Sequence, residues 1–421
     1  MQAHASPSRS WKKTFLLVWG GQSVSLLGSN LVQFALVWYL TEQTGSATIL
    51  VIASLMNLLP MMLLGPFAGA LVDRWSRRRV MVAADALAAG LSILLGYLFW
   101  ADVARIWHIY LILLVRAVGG AFQFPAMQAS ISLMVPERHL SRVAGWNQTV
   151  SGLINIAGPP LGAALLALLP MYGVLAVDVG TALIAILPLL FIRLPYPPNQ
   201  DRKAFVPPRE LLRDVQLGLR YVRCWHGMVW VMGIAVLVNL IVNPAYTLTP
   251  LLVTRIFKGG AFELGILDAA WGIGVVVSGA VLGIWGGFRK RIWTALAGVT
   301  GLGFGVLLMG SAPSGWFWVT LLGMGIAGLM NPLVIGSFFA ILQARVAPEI
   351  QGRIITLSLS FSSAATFLGM VISAPAADLI GIRLWFLAGG GIILASGIAA
   401  FSSRSIQSIE DNAPLYEKVC S

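Results

Sequence analysis

The sequence predicts an all-α membrane protein of twelve transmembrane helices arranged as two pseudo-symmetric six-helix bundles. Three observations predict it. Of 421 residues, 58% are apolar and only 10% charged, with a mean hydropathy of +0.84, against about one-quarter charged in an ordinary soluble domain. Apolar stretches of the length needed to cross a bilayer, about 20 residues, recur along the whole chain. The two halves also resemble each other weakly: the segment Gly69 to Arg77 corresponds, at an offset of 214, to Gly283 to Arg291, and both lead into basic clusters. Parallel six-helix repeats of this kind mark one architecture of membrane proteins built around a midplane site.

In chain order, a polar segment over residues 1–13 precedes the first apolar stretch. That stretch continues to about Leu40 without a small-residue cleavage site, so it is predicted to be a span and not a removable leader. Hydropathy read against Gly/Pro breaks and charged loops places the first six spans at 14–40, 47–72, 80–100, 106–128, 143–169 and 172–193, an N-terminal bundle over 14–193. A linker follows over 194–225. It begins with Pro195, Pro197 and Pro198 and restarts at Pro207-Pro208, after which Leu211, Val215, Gly218 and Val222 recur at helical spacing with Arg209, Arg213, Arg220 and Arg223 at other angles. This pattern predicts a short amphipathic helix on the membrane surface, its arginines among lipid headgroups. The second bundle, 226–402, holds spans at 227–252, 262–286, 292–311, 315–341, 352–378 and 383–402, and residues 403–421 form a tail.

Lys and Arg fix the expected orientation, because basic flanks stay cytoplasmic. With both termini inside, Arg105, Arg255, Lys258 and Arg383 alone fall outside, Arg116 falls within a span, and the rest of the 28 Lys and Arg are cytoplasmic. An odd number of spans destroys this bias. The expected location is therefore the cell membrane, multi-pass, with cytoplasmic termini.

The net charge of +12 is spread as short clusters between apolar stretches, without the basic groove or stacking platform of a nucleic-acid binder. Cys224 and Cys420 form neither a disulfide framework nor a metal spacing, and His4, His108, His139 and His226 are scattered. No metal and no cofactor is expected. There is no Gly-x-x-x-x-Gly-Lys phosphate loop, no His-Glu-x-x-His helix and no set of paired carboxylates or Ser/His/Asp at one depth, which argues against an ATP-driven pump or a membrane enzyme.

The segment Gly69-Ala-Leu-Val-Asp73-Arg74-Trp-Ser76-Arg77-Arg78-Arg79 resembles the loop signature of the major facilitator superfamily: a glycine, an aspartate four residues later, then a basic run. The resemblance implies the major facilitator fold. It also implies that Gly69 lets the second span pack closely on the eleventh, and that Asp73, Arg74, Arg77 and Arg78 form a cytoplasmic latch. Ser76 stands where the family has glycine. Arg116-Ala-Val-Gly119-Gly120 is similar to a second signature, carried by proton-coupled members, which implies a role for Arg116 in proton transfer; the alternative is a structural bridge to polar groups of a neighbouring helix, since an isolated cation at this depth costs at least about 3 kcal/mol. Gly158-Pro159-Pro160-Leu161-Gly162 resembles the glycine-proline signature of exporters, with Ala163 in place of the family's last glycine. Such a segment can act as a pivot. From about Trp11 to Phe401 the chain looks like the macrolide-efflux and enterobactin-exporter branch of the drug:proton antiporters.

The intramembrane acids Asp85, Asp178 and Asp268 are candidates for proton coupling alongside Arg116. Asp85 lies a turn and a half from the Arg77 to Arg79 cluster and is expected to pair with arginine there. For Asp178 and Asp268, helix-end hydration is the alternative. Helical spacing gathers Gln22, Asn30 and Gln33 on span one, Asn147, Ser151 and Asn155 on span five, and Asn239, Asn243 and Tyr246 on span seven into polar stripes. These either line a cavity for an amphiphilic cargo or join helix to helix. Together these readings predict a monomeric, proton-driven exporter of hydrophobic or amphiphilic small molecules. Uptake of a solute or lipid-like substrate by the same architecture is the alternative.

Overall fold

The structure is a computed structural model that describes residues 11–72, 75–192, 219–346 and 348–410. Twelve long helices account for nearly all of them: α1 (Trp11–Thr44), α2 (Ala47–Val72), α3 (Arg77–Trp100), α4 (Ile106–Met134), α5 (Glu137–Leu168), α6 (Met171–Phe191), α7 (His226–Ile256), α8 (Ala261–Trp285), α9 (Arg291–Ser311), α10 (Phe317–Arg345), α11 (Pro348–Leu379) and α12 (Ile382–Ser402). A single turn, α13 (Arg404–Gln407), follows. No strand occurs among the described residues. All twelve long helices are long and apolar enough to cross a membrane.

The helices form because their sequences satisfy every backbone amide internally while presenting apolar side chains outward, the requirement that lipid imposes. Phe191, Ile284 and Leu379 are each more than four-fifths exposed. Several helix ends are chemically marked. Glu263 accepts the Gly260 amide at 2.7 Å and so caps the start of α8. That helix ends at Gly286, whose φ of 75° is a left-handed stop. Arg383 donates to the carbonyls of Gly310, in the last turn of α9, and of Ala312 just beyond it. Several helices extend a turn or so beyond the predicted apolar stretches: α1 starts at Trp11, α5 at Glu137 and α11 at Pro348, because Pro136 and Pro348 set helix starts that hydropathy does not see.

The chain divides into two compact units, one of Met1–Thr44 and Ile52–Phe205, the other of Gly45–Val51 and Val206–Ser421. The predicted surface helix over 209–223 falls largely outside the described residues; of it, residues 219–223 are helical. In the first unit α1 packs on α6 and α5, and α3 on α4 and α6. In the second, α7 packs on α12 and α11, and α9 on α10 and α12. These four pairings recur with every helix number raised by six, and the second unit adds a close packing of α8 on α10.

The repeat reaches single side chains. Arg77, at the start of α3, donates to the Ala129 carbonyl of α4 at 2.7 Å; Arg291, its counterpart at the 214-residue offset, donates from the start of α9 to the Ala340 carbonyl of α10 at 2.8 Å. At the basic end of each unit lies an apolar cluster: Phe15, Met81, Met134 and Leu189 in the first, and Trp225, Met228, Ile292 and Leu342 in the second. Ile406 and Ile409 belong to the second cluster, and Glu410 accepts the Ile292 amide at 2.9 Å, so the beginning of the predicted tail is a packed part of this unit.

Candidate functional site

In the first unit, α1, α3 and α4 each place two polar side chains seven residues apart, two turns of helix, on facing sides. The pairs are Gln22 and Ser29, Asp85 and Ser92, and Arg116 and Gln123. They assemble two separate polar centres, one at each level.

The upper centre is built on Arg116. Its guanidinium donates to the Asp178 carboxylate of α6 at 2.7 Å, to Ser92 Oγ at 2.6 Å, to the Ala88 carbonyl at 3.3 Å and to Ser29 Oγ at 3.1 Å. Asp178 in turn accepts from Ser92 at 2.6 Å and from Ser29 at 3.3 Å. The Asp178 side chain is 2% exposed and that of Arg116 12%. A cation in the middle of a span is tolerated because a carboxylate on the neighbouring helix neutralises it and two hydroxyls complete the set. Arg116 and Asp178, singled out separately from the sequence, are thus partners in one ion pair.

The lower centre surrounds Asp85. Gln22 Nε2 donates to it at 2.5 Å, Gln123 Nε2 at 2.8 Å and Ser25 Oγ at 3.1 Å; Gln123 also donates to Gln22 Oε1 at 3.0 Å. The expected pairing of Asp85 with arginine is corrected here. Arg77 and Arg78 turn instead to the carbonyls of Ala129 and Leu190, and the partners of Asp85 are neutral amides and a hydroxyl. Asp85 is buried, and no basic side chain forms a salt bridge with it among the described residues.

The second unit holds Asp268 on α8. The Tyr246 ring of α7 lies 5.9 Å from that of Trp271, one turn along α8 from Asp268. On the same stripe of α7, Asn243 donates to Asn239 Oδ1 at 3.1 Å and to Thr366 Oγ1 of α11 at 3.2 Å. Asp268 and Trp271 are half-buried, and Asn243 and Tyr246 are exposed.

The remaining predicted residues are distributed as follows. Asp73 and Arg74 lie outside the described residues; Gly69 lies within α2. Asn30 turns back on the Leu26 carbonyl at 2.9 Å, and Asn147 accepts from the Trp19 indole. Gln33 and Ser151 are half-buried and Asn155 is exposed. Helix α5 runs unbroken through Pro159 and Pro160. Gly158 faces Asn30, and a methyl group on Gly162 would come within 2.9 Å of the Phe34 ring, so this segment of α5 packs against α1.

Sequence reasoning missed Ser29, Ser92, Ser25 and Gln123; for Ser92 and Gln123 the signal was the seven-residue spacing to Asp85 and Arg116, and for Ser29 the same spacing to Gln22. It also missed Asp378. In the second unit Asp378 accepts from the amides of Ala47 and Thr48 at 3.4 Å each, from Thr48 Oγ1 at 3.1 Å and from Arg255 at 3.3 Å, while Arg255 also donates to the Gly45 carbonyl. Among the described residues no group of three or more His, Cys, Asp or Glu is placed to hold a metal.

Twelve spanning helices, a repeat at an interval of six, and charged centres buried within the bundles define a multi-pass membrane transporter. The family model of the Major Facilitator Superfamily matches residues 18–355, and the chain belongs to that family. It is 32% identical over 402 residues to macrolide efflux protein A of Streptococcus pyogenes, covering 95% of this chain and 98% of that protein. It is 26% identical to the multidrug efflux pump Tap of Mycolicibacterium fortuitum, covering 89% and 91%. Among solved structures, a bacterial homologue of the iron transporter ferroportin in an inward-facing state superposes with a TM-score of 0.67 at 15% identity, over 93% of this chain and 99% of that one. This last likeness concerns the fold.

Proposed function

We propose that this protein exports hydrophobic or amphiphilic small molecules, drives that export with protons, and works by alternating access between its two bundles. The observation that carries the reading is the nearly full-length similarity to a macrolide efflux protein and to a multidrug efflux pump. Direction and cargo class come from those relatives. The ionic chemistry comes from this chain's own residues.

Of the four coupling candidates, Arg116 and Asp178 neutralise each other and serve as a fixed counter-pair. Asp85 has only neutral donors around it. An unpaired charge in a low-dielectric interior is costly, and taking up a proton removes it. Asp85 is therefore the group in the first bundle that carries the coupling proton, with Gln22 and Gln123 holding it in place. Asp73, Arg74, Arg77 and Arg78 act as the latch near Gly69, and the Gly158 to Gly162 segment as the pivot of α5. The termini are cytoplasmic, the protein acts as a monomer, and its cargo is the only small molecule it requires besides protons.

Expression in a host stripped of its own efflux pumps tests this reading. The protein is expected to raise tolerance to several amphiphilic compounds, and a protonophore is expected to abolish their efflux. Unchanged tolerance to every compound, or efflux indifferent to the protonophore, contradicts it.

A further inference from the structure

The loop from α8 into α9 holds an aromatic ring at the basic end of the second unit. Gly286 and Gly287 both take positive φ, 75° and 82°, which turns the chain sharply after α8. The next amide, that of Phe288, donates to Thr294 Oγ1 at 2.8 Å. Phe288 is thereby fixed to the first turn of α9, and it remains 49% exposed. Trp293 of α9 stacks on Phe401 of α12, with ring centroids 5.4 Å apart and planes at 25°.

Phe288, Trp293, Ala297 and Phe401 line an open groove of about 440 Å³. Clefts of roughly 300–1,000 Å³ hold small organic ligands, and those clefts carry a few polar groups that orient the ligand. The surface of this groove presents no polar atom, so the part of a ligand that enters it is hydrocarbon. The charge lies at the rim. Arg289 follows Phe288 directly, and Arg404 lies three residues beyond Phe401, in α13; both are exposed, and neither forms a salt bridge among the described residues. Lys290 and Arg291 add two more positive charges to the same loop. Among the described residues the one carboxylate close in sequence, Glu410, is buried and accepts the Ile292 amide. The groove opens where two spanning helices end, since α9 begins at Arg291 and α12 stops at Ser402. At that level acyl chains meet their headgroups.

We propose that this groove binds an anionic phospholipid, with one acyl chain against Phe288, Trp293 and Phe401 and the phosphate between Arg289 and Arg404. Guanidinium groups match phosphate oxygens with paired N–H donors, and basic pockets between spanning helices select lipids of net negative charge. A zwitterionic lipid brings its ammonium group among four cations. A purely apolar compound leaves the arginines unused. The site is separate from the carboxylate centres of both units, and its occupancy is measurable without transport.

The test is native mass spectrometry of the full chain in detergent, with phosphatidylglycerol and phosphatidylcholine of identical acyl chains as probes. Wild type is expected to bind phosphatidylglycerol at least about tenfold more tightly than phosphatidylcholine. Arg289→Gln combined with Arg404→Gln is expected to weaken phosphatidylglycerol at least about tenfold while leaving phosphatidylcholine within about twofold. Lys12→Gln combined with Lys13→Gln, which removes two exposed cations from the first unit, is expected to leave both lipids within about twofold. Ala297→Phe, which fills the groove and keeps every charge, is expected to weaken both lipids. The arginine variants alter exposed side chains alone, so they decide the matter even if Ala297→Phe lowers the thermal unfolding midpoint. Equal affinity of wild type for the two lipids overturns the proposal, as does an equal loss from the lysine and arginine pairs, which would make the attraction a property of the whole basic surface. Undiminished phosphatidylglycerol binding by a stably folded Ala297→Phe overturns it too, and a wild-type dimer that this variant dissociates assigns the groove to a second copy of the chain instead.

Discussion

Arg116 and Asp178 are a buried pair, and Arg255 and Asp378 an accessible one, with side chains 39% and 32% exposed. The difference decides what each contributes. Breaking a buried pair by removing one partner costs about 3–5 kcal/mol, because the survivor is left uncompensated, whereas an accessible pair is worth about 0–1 kcal/mol. Arg116→Ala is therefore expected to lower the thermal unfolding midpoint of the detergent-solubilised protein sharply, and the double variant with Asp178→Asn to recover most of the loss. Equal loss in the single and double variants would show that the pair is not what holds Arg116. At this scale the sequence identified the charged residues but not their partners. Arg116 and Asp178 are 62 positions apart, and no periodicity within one helix predicts which neighbour a side chain meets. Asp85 illustrates the same limit: proximity in sequence to an arginine cluster suggested an ion pair, but the three donors come from α1 and α4.

The helices themselves were the legible part, because a span is a local property: about 20 apolar residues between polar ends. Their ends were less so, since Pro136 and Pro348 begin α5 and α11 before the apolar run does. How closely two helices approach is set by glycines whose importance appears only in the packed unit. A methyl group at Gly303 of α9 would fall 2.4 Å from the Leu394 amide nitrogen of α12, and one at Gly390 of α12 would fall 2.4 Å from the Leu307 amide nitrogen of α9, whereas one at Gly279 of α8 meets nothing within 4 Å. Gly303→Ala is expected to destabilise the second unit and reduce the yield of folded protein. Gly279→Ala is expected to be neutral or to stabilise by up to about 1 kcal/mol, the helix preference of alanine over glycine. Comparison of the two by thermal unfolding in detergent checks this, and equal behaviour would show that α9 and α12 can part without cost.

At the scale of the whole molecule, the two units share four helix pairings, down to Arg77 and Arg291 donating to corresponding helices. The 214-residue echo carried this information in the sequence, because the basic cluster that starts α3 starts α9 as well. The repeat does not extend to the charged centres. The first unit holds a neutralised pair and an amide-bound carboxylate, and the second holds a carboxylate beside two aromatic rings. The two units thus carry different chemistry. The most direct measurement is flux of an effluxed compound in proteoliposomes under an imposed pH gradient, for wild type and Asp85→Asn. The account predicts uphill movement by wild type that collapses when the gradient is dissipated, and only downhill movement by the variant. Uphill movement by Asp85→Asn equal to that of wild type would contradict it.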